Sequence, residues 1–319
     1  MTYFLGVDGG QSGTTAVIGD ENGHILGAGE AGPCNHAGDR EGQAKLERAV
    51  TASVAEACRQ AGLDATAIGF EAACFGMSGG PEDKEAILRS ILRVNRLTVT
   101  NDAVIALAGA TETGQGIVTI AGTGSIAFGR NRELRTARAG GWGYLFGDEG
   151  GAFDIVRHAL RAALRMEEGW GTQTGLRNLI LKATDSSDAN EAMHRMYAAD
   201  WPRDRIARLA PLVDAAALEG DAVAREILAN AGRQLSTLAA SVRSQLWKPG
   251  DAVEVACIGG VFQSRIVLER FRMLLELEDG VRCIAPKHGP PEGALLEAYR
   301  SVGVNPVTGS FATHLSPPN

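Results

Sequence analysis

The chain has 319 residues, more than one ordinary domain, and its 45% apolar and 22% charged residues give a globular balance with ample material for a core. Its formal net charge of −7 supplies no basic field that would attract nucleic acid or an anionic membrane, which excludes both as partners. The phosphates of a bound nucleotide would therefore have to be held by local groups, namely backbone N–H groups, a helix N-terminus and a metal ion.

The first half of the chain is predicted to be α/β. Short apolar runs predict strands over residues 3–8, 14–19 and 24–28, and Asn22-Gly23 predicts an antiparallel hairpin between the second and third strands. Apolar residues at helical spacing predict a helix over 42–61. A strand over 68–77, a helix over 82–94, a strand over 96–100 and a short alanine-rich helix after Asp102 complete this half.

A turn at residues 112–116 leads into a second half that opens as the first one does. Strands are predicted over 117–121 and 126–130, which makes a weak internal repeat typical of a duplicated α/β fold. The stretch 154–250 is predicted to be helical with breaks near Gly169, Pro202 and Gly220. A strand over 253–258, a helix over 265–277, a strand over 281–285 and a helix from Pro291 to Tyr299 follow.

These elements predict two α/β lobes with a cleft between them. We place the lobes at residues 1–114 and 115–319, with the alternative that the last helix packs back on the first lobe. The tail, 303–319, is rich in proline, serine and threonine, and we expect it on the surface.

The cysteines indicate a reducing compartment. There are five of them with no C-x-x-C spacing (Cys34, Cys58, Cys74, Cys257 and Cys283), and such a pattern is typical of buried free thiols rather than of a disulfide or zinc framework. The first residues run directly into a strand without a basic region or cleavage site, and no apolar stretch is long enough to span a bilayer. We expect a soluble cytoplasmic protein.

Three glycine-rich turns each follow an apolar strand, and we call them the first, second and third glycine turns. The first consists of Asp8, Gly9, Gly10, Gln11, Ser12, Gly13 and Thr14. Glycines let backbone N–H groups approach phosphate oxygens, hydroxyl groups add donors, and Asp8 is a candidate Mg²⁺ ligand through water. The alternative is a plain hairpin turn, and the sequence matches neither a Walker loop nor a Rossmann fingerprint.

The second glycine turn contains Gly122, Thr123, Gly124 and Ser125 and has the same small, hydroxyl-bearing composition. Two such turns, one at the start of each half of the chain, suggest that both bind the same triphosphate, one from each side. The third, Gly259 and Gly260, could lie against an adenosine ring where a side chain would clash. Its alternative explanation is close packing of a helix on a strand.

Asp102 has two possible roles. It follows a strand and precedes a helix, so it could be an N-cap. It could instead be the general base that accepts a hydroxyl proton during phosphoryl transfer, a reaction that leaves the protein chiefly positioning and electrostatic work.

The densest motif is Gly140-Gly141-Trp142-Gly143 followed by Gly147-Asp148-Glu149-Gly150-Gly151. Trp142 could fill a core, or it could pack beside a sugar while loop amides bind hydroxyl groups. Asp148 and Glu149 could be first-turn helix charges, or a carboxylate here could accept bonds from a pair of sugar hydroxyls. Asn35 is a loop amide with the same two explanations, sugar binding or a plain turn.

In their order, these motifs resemble those of the N-acetylglucosamine kinase family, within the BadF/BadG/BcrA/BcrD-type ATPases of the actin, hexokinase and Hsp70 superfold. The resemblance runs from Val7 to Ala294, and the glycine–tryptophan motif is its most specific part. It implies an α/β fold of two lobes, each of the duplicated ribonuclease H-like (actin-like ATPase) type, with a nucleotide and sugar cleft between them.

The same resemblance implies roles for particular residues. Asp102 corresponds to the catalytic base, the first two glycine turns to phosphate loops, and Gly259 to the adenosine turn. The sugar-binding positions are Asn35, Ser125, Gly140, Gly141, Trp142 and Asp148. The implied reaction transfers the γ-phosphoryl group of ATP to the 6-hydroxyl of the sugar with Mg²⁺, in a homodimer.

Departures from the family pattern keep other functions open. Gln11 and Ser12 stand where glycine and threonine are common, and Ala37 stands where the animal kinase has a tryptophan beside the sugar. Glucosamine, glucose and muramic-type sugars therefore stay possible substrates. An ATP-driven activator of a CoA-ester reductase or dehydratase is a further alternative, although its iron–sulfur cluster needs cysteines that the isolated ones here do not match. The third alternative function is that of a non-catalytic sensor of sugar or nucleotide.

Overall fold

The computed structural model describes residues 1–10, 13–34, 40–77 and 84–305. The described chain forms two compact units. The first unit comprises Met1–Gln115 and the segment that begins at Pro286, and the second unit comprises Gly116–Ala285.

Strands and helices follow one another as in an α/β protein. Up to residue 115 the elements are β1 (Tyr3–Gly9), β2 (Thr14–Asp20), β3 (Ile25–Ala31), α1 (Arg40–Ala61), β4 (Phe70–Met77), α2 (Lys84–Ile91), β5 (Val94–Thr100) and α3 (Asp102–Thr111). The second unit contains β6 (Gly116–Ala121), β7 (Ser125–Arg130), β8 (Thr136–Gly140), α4 (Ala152–Glu167), α5 (Leu176–Thr184), α6 (Ala189–Met196), α7 (Arg203–Ala207), α8 (Ala210–Leu218), α9 (Ala222–Leu246), β9 (Val253–Ile258), α10 (Arg265–Leu275) and β10 (Val281–Ile284). The last helix is α11 (Pro290–Ser301).

The first unit is built on a five-stranded mixed sheet of order β3-β2-β1-β4-β5. β1 pairs antiparallel with β2 and parallel with β4, so it lies at the centre of the sheet. The predicted hairpin between β2 and β3 is confirmed, because the N–H of Asp20 donates to the carbonyl of His24 and the N–H of His24 donates to the side chain of Asp20, around Asn22 and Gly23. The first glycine turn connects β1 to β2 at the end of this central strand.

The second unit repeats that topology. Its sheet has the order β10-β9-β6-β7-β8, in which β6 is antiparallel to β7 and parallel to β9. Strand for strand, β6 to β10 thus correspond to β1 to β5, and the predicted duplication is confirmed. The second glycine turn connects β6 to β7 just as the first connects β1 to β2.

The sheet of the first unit is covered on both faces because successive side chains of a strand point to opposite sides. Leu5 and Val7 pack with Val50 of α1 on one face. Phe4 packs with Ile105 of α3 and with α11 on the other. These two apolar layers hold β1 rigidly, and its end carries the first glycine turn.

α11 completes the first unit although it follows the whole second unit in sequence. The N–H groups of Lys287 and His288 donate to carbonyl groups at the end of α3. The glycine at 293 brings α11 against the backbone of α3 at Ile105, so close that a Cβ would collide with that carbonyl. Glu292, in the first turn of α11, is thereby brought to the first unit.

The second unit carries most of the helices, inserted between β8 and β9. The predicted breaks near Gly169, Pro202 and Gly220 are confirmed, since α4 ends before the first, α7 begins after the second and α8 ends before the third. One continuous core joins β6 and β9 to α4, α8, α9 and α10.

Three details correct the sequence predictions. β8 was not predicted, because its five residues are small or charged and form no apolar run, and it lies at the edge of the sheet. The helix predicted to reach residue 94 ends at Ile91, and β5 begins at Val94, where the chain turns into the sheet. A 3-10 turn, Gly260–Gln263, follows β9 before α10.

The five cysteines are free, as predicted, and all except the partly buried Cys257 are buried. Across the described residues, no helix combines the length and apolar character needed to cross a membrane.

Candidate active site

The first glycine turn is tightly constrained by its neighbours. The N–H of Gly10 donates to the carbonyl of Gly13 at 2.9 Å, and the N–H of Cys34 donates to the carbonyl of Gly10 at 3.2 Å. Thr14 is buried, and its hydroxyl donates to the carbonyl of Gly32 at 2.9 Å. The Thr14 hydroxyl is therefore engaged within the protein. Gln11, Ser12 and Asn35 lie outside the described residues.

Gly9 has a packing reason as well as a candidate phosphate-binding role. A Cβ at this position would lie 2.5 Å from the sulfur of Met77 and 2.7 Å from the sulfur of Cys34. The backbone of the turn therefore lies directly on the core.

In the first unit, two other carboxylates act on Asp8. Asp8 is half-buried at the end of β1, and its pKa is raised from 3.8 to about 6, chiefly by burial and further by the negative charges of Asp102 and Glu292. A bound cation would offset the energetic cost of the negative charge at such a site. The described residues contain no cluster of three or more His, Cys, Asp or Glu side chains that could hold a metal ion by themselves. The Asp8 carboxylate is the kind of oxygen donor that suits a magnesium ion, which usually keeps most of its water.

Asp102 is the exposed first residue of α3. The alternative role as helix cap falls to its neighbour, because the side chain of Asn101 accepts the N–H of Val104 at 3.0 Å. The helix thus does not need the Asp102 carboxylate as its N-cap.

The second glycine turn is joined to the start of α4. The N–H groups of Ala152 and Phe153 donate to the carbonyls of Gly122 and Thr123, at 2.8 Å and 3.1 Å. Within the turn, the N–H of Gly122 donates to the carbonyl of Gly124 at 3.0 Å. These bonds fix the turn against the helix start.

The glycine–tryptophan loop, residues 140–148, lies beside that turn. The N–H of Gly141 donates to the carbonyl of Ser125 at 2.9 Å. Gly140, Gly141 and Gly143 all have positive φ, a conformation that glycine adopts without strain. Trp142 is 64% exposed, so it does not fill a core, and its ring lies 4.5 Å from the guanidinium carbon of Arg138.

Asp148 ends this loop and is held on both of its oxygens. It is only 5% exposed and has a φ of 65°, which is uncommon for a residue with a side chain. The N–H of Ser125 donates to its Oδ1 at 3.3 Å, and the guanidinium of Arg203 donates to its Oδ2. Because α4 is capped by Gly151 and begins at Ala152, Asp148 is not one of its first-turn charges.

Ser125 is likewise bonded to the residue that follows the loop, since its hydroxyl donates to the carbonyl of Glu149 at 2.7 Å. The second unit thus brings Gly122, Thr123, Gly124, Ser125, Gly140, Gly141 and Asp148 together.

The two residues of the third glycine turn differ in how much space surrounds them. Gly259 has a φ of 109°, and a Cβ there would collide with the carbonyl of Ala121 at the end of β6. A Cβ on Gly260 would meet no atom within 4 Å. Packing therefore explains Gly259, whereas Gly260 has open space beside it.

The chain matches the BadF/BadG/BcrA/BcrD ATPase family over residues 5–298. It belongs to that family. Among relatives, an N-acetylmuramic acid/N-acetylglucosamine kinase of Clostridium acetobutylicum is 33% identical over 93% of this chain and 98% of its own length. An N-acetyl-D-glucosamine kinase of Dictyostelium discoideum is 30% identical over 76% of this chain and 80% of its own length.

Solved structures extend the likeness to the fold. A Chromobacterium violaceum protein provisionally assigned as an N-acetylglucosamine kinase has a TM-score of 0.75 at 29% identity, covering 93% of this chain and 98% of that one. A glucokinase of the ROK family from Streptomyces griseus, solved with glucose and AMPPNP, has a TM-score of 0.55 at 21% identity, over 93% of this chain and 98% of that one. The second likeness shows the fold alone, and the fold is the predicted actin-like ATPase fold of two lobes.

Three charged residues of this BadF/BadG/BcrA/BcrD family member carry no signal in the local sequence. Glu292 raises the pKa of Asp8, and Arg203 binds Asp148. Lys84 is buried at the start of α2, where burial lowers its pKa while Cys34 and Asp102 oppose that shift. Each acts on a residue distant in sequence, so no local pattern marks it.

Proposed function

We propose that the protein is an ATP-dependent kinase that phosphorylates the 6-hydroxyl of an amino sugar, with N-acetylglucosamine as the first candidate. The observation that carries this proposal is the 33% identity to an N-acetylmuramic acid/N-acetylglucosamine kinase across 98% of that relative's length. The loop that most resembles the sugar motif also has suitable chemistry, since it contains both an exposed tryptophan and a buried carboxylate.

In this proposal Asp102 is the general base. Its carboxylate is exposed at the start of α3 and is not needed to cap that helix. It accepts the proton of the attacking hydroxyl group, which makes the oxygen a better nucleophile toward the γ-phosphorus. The bond from phosphorus to the β,γ-bridging oxygen breaks as the new bond forms, and ADP leaves.

The two glycine turns are proposed to hold phosphate oxygens through their backbone N–H groups. The first turn contributes Gly9, Gln11, Ser12 and Gly13, together with the backbone of Thr14, and the second contributes Thr123 and Gly124. The N–H groups of Gly10 and Gly122 instead close the two turns, by donating to the carbonyls of Gly13 and Gly124. Gly260 leaves room for the adenosine ring beside the third turn, where Gly259 is needed for packing.

Asp8 is proposed to hold Mg²⁺ through water, in keeping with its oxygen donor and the excess negative charge around it. When bound, the ion neutralises charge on the transferred phosphoryl group. Asp8 itself orients the hydration shell from the rigid end of β1.

The sugar is proposed to bind on the second unit and on Asn35. The ring of Trp142 packs against an apolar face of the sugar, the loop amide at Gly140 donates to a hydroxyl group, and Asp148 accepts from a hydroxyl pair. Gly141 takes part through the shape of its backbone, because its N–H already donates to the carbonyl of Ser125. Ser125 supports Asp148 through its backbone N–H. The resemblance further implies a homodimer, which stays a prediction.

Coupled ADP release with Mg·ATP tests the proposal. The panel contains N-acetylglucosamine, N-acetylmuramic acid, glucosamine, glucose and N-acetylmannosamine. Asp102→Asn should lower turnover on the preferred sugar by about 10²-fold to 10⁴-fold, the usual contribution of a general base. Asp185→Asn is the matched control, because Asp185 is fully exposed in a left-handed conformation that asparagine tolerates.

Slow ATP hydrolysis that is indifferent to every sugar would refute the proposal and favour an activator or a sensor. Turnover on an amino sugar that survives in Asp102→Asn would keep the kinase and reject the assigned base.

A further inference from the structure

Arg203 connects the short helix α7 to the glycine–tryptophan loop. It is the first residue of α7, and its guanidinium donates to Oδ2 of Asp148, 55 residues earlier in the chain. The arginine side chain is 33% exposed and the aspartate side chain 7%, so the pair lies largely out of water. Removing one partner of such a pair leaves a charge that the protein must bury alone, which is costly.

The guanidinium also faces the rest of the loop. Its central carbon lies 5.4 Å from the ring centre of Tyr144 in the loop and 5.9 Å from that of Phe153 in α4. Both distances allow an attraction between the cation and the aromatic ring. Within the described residues, the Nε of Arg203 is buried without a hydrogen-bond partner. The bond to Asp148 is therefore the main polar contact of the Arg203 side chain.

The helix that carries Arg203 is itself anchored. Trp201 and Ile206 pack with Val156 of α4 in a small apolar cluster on either side of Arg203 in sequence. α4 in turn is bonded to the second glycine turn. The guanidinium is therefore presented from a fixed base rather than from a free loop.

The ion pair lies directly against the second glycine turn. A Cβ on Gly124 would collide with the Asp148 carboxylate, and it would lie 2.7 Å from a terminal nitrogen of Arg203. The small residue at 124 thus leaves the space that the pair fills. The position of the carboxylate relative to this turn is set by three contacts: the Ser125 N–H, the Arg203 guanidinium and the Gly124 backbone.

We propose that Arg203 is a positioning residue for sugar recognition, which holds the Asp148 carboxylate where it accepts bonds from sugar hydroxyls. This inference rests on the proposed kinase function. Arg203 does not touch the reacting atoms in this role, so its loss should weaken sugar binding more than it slows the transfer step.

Kinetics of Arg203→Met, Arg203→Lys and Arg205→Met test this role. Arg205 is the matched control, because it lies in the same helix but stacks on Trp201 and donates to the carbonyl of Asp200. In Arg203→Met the KM for the sugar should rise by roughly thirtyfold or more, as expected for breaking a buried charge pair. The KM for ATP and kcat at saturating sugar should change by less than about threefold. Arg203→Lys should recover part of the loss, and Arg205→Met should match the wild type.

Hydrogen–deuterium exchange gives a readout that does not depend on activity. Loss of the guanidinium should speed exchange in peptides covering residues 122–128 and 141–151, while Arg205→Met leaves them unchanged. If the wild type turns over no sugar, the proposed function fails, and the exchange result still decides whether Arg203 holds Asp148.

Two results would overturn the inference. One is a folded Arg203→Met protein with wild-type sugar KM and unchanged exchange. The other is a raised KM for ATP with an unchanged KM for the sugar, because Arg203 would then serve the phosphates instead.

Discussion

Replacing Asp8 with asparagine should stabilise the protein while removing a residue that the proposed reaction needs. Burial, with the negative charges of Asp102 and Glu292, raises the pKa of Asp8 from 3.8 to about 6. The folded protein therefore binds this proton more tightly than the unfolded chain does. The resulting contribution to stability is fully present below a pH of about 3.8 and is lost as the pH rises through about 6.

The size of the effect follows from the shift. Each unit of pKa corresponds to about 1.4 kcal/mol, so the ionised Asp8 carboxylate costs up to about 3 kcal/mol at neutral pH. Asparagine has nearly the same shape and carries no charge. We expect Asp8→Asn to raise the free energy of unfolding by about 1–3 kcal/mol at a pH of about 7.5, and by close to nothing at a pH of about 4.

The assay must report on the unfolding of the first unit, which contains Asp8. All four tryptophans lie in the second unit (Trp142, Trp170, Trp201 and Trp247), so their fluorescence follows the other half of the chain. Urea unfolding without metal or nucleotide should therefore be followed by hydrogen exchange in peptides from β1 and β4. Tryptophan fluorescence in the same samples is the internal reference.

Glu292→Gln provides a graded control. It removes only the weakest of the three causes of the shift, so its gain in stability above a pH of about 6 should be smaller than that of Asp8→Asn. Under the proposed function, Asp8→Asn should also lose most Mg²⁺-dependent turnover. A variant that is less stable than the wild type at a pH of about 7.5, or a gain that does not depend on pH, would refute the reasoning.

Three further substitutions separate packing from binding. Gly293→Ala should lower the free energy of unfolding by about 3 kcal/mol or more in a urea titration, because its Cβ would collide with the carbonyl of Ile105, whereas Gly69→Ala, with neighbours at 3.9 Å, should have little effect. Gly260→Ala should leave stability within about 0.5 kcal/mol but raise the KM for ATP, and an unchanged KM would remove this turn from the nucleotide site. Trp142→Ala should raise the KM for the sugar about tenfold without lowering the melting temperature, since the ring is 64% exposed; a wild-type KM would show that it does not touch the sugar.

Local sequence patterns were sufficient for the elements that local interactions determine. Asn22-Gly23 predicted the hairpin between β2 and β3 because few other residues adopt the backbone of so tight a turn. The two similar strand–turn–strand openings predicted the duplication, since the same pattern of apolar runs and glycines builds the same sheet twice. The edge strand β8 was not predicted because its small and charged residues form no apolar run, and only pairing with its neighbour β7 makes it a strand.

The candidate site also has a part that the sequence predicts and a part that it does not. The residue types of the glycine turns and of the glycine–tryptophan loop are visible in sequence. The choice between a structural and a functional role for each residue depends on its neighbours in the fold. Asn101 rather than Asp102 caps α3, and Trp142 is exposed rather than buried.

Only the tertiary structure decided which charges meet. Arg203 reaches Asp148 across 55 residues, and Glu292 acts on Asp8 from the opposite end of the chain. Burial and electrostatic interaction depend on distance in space, whereas helix periods, turns and caps depend on distance along the chain. The sequence alone therefore determined the kinds of groups in the site, and the fold determined their partners and their charge.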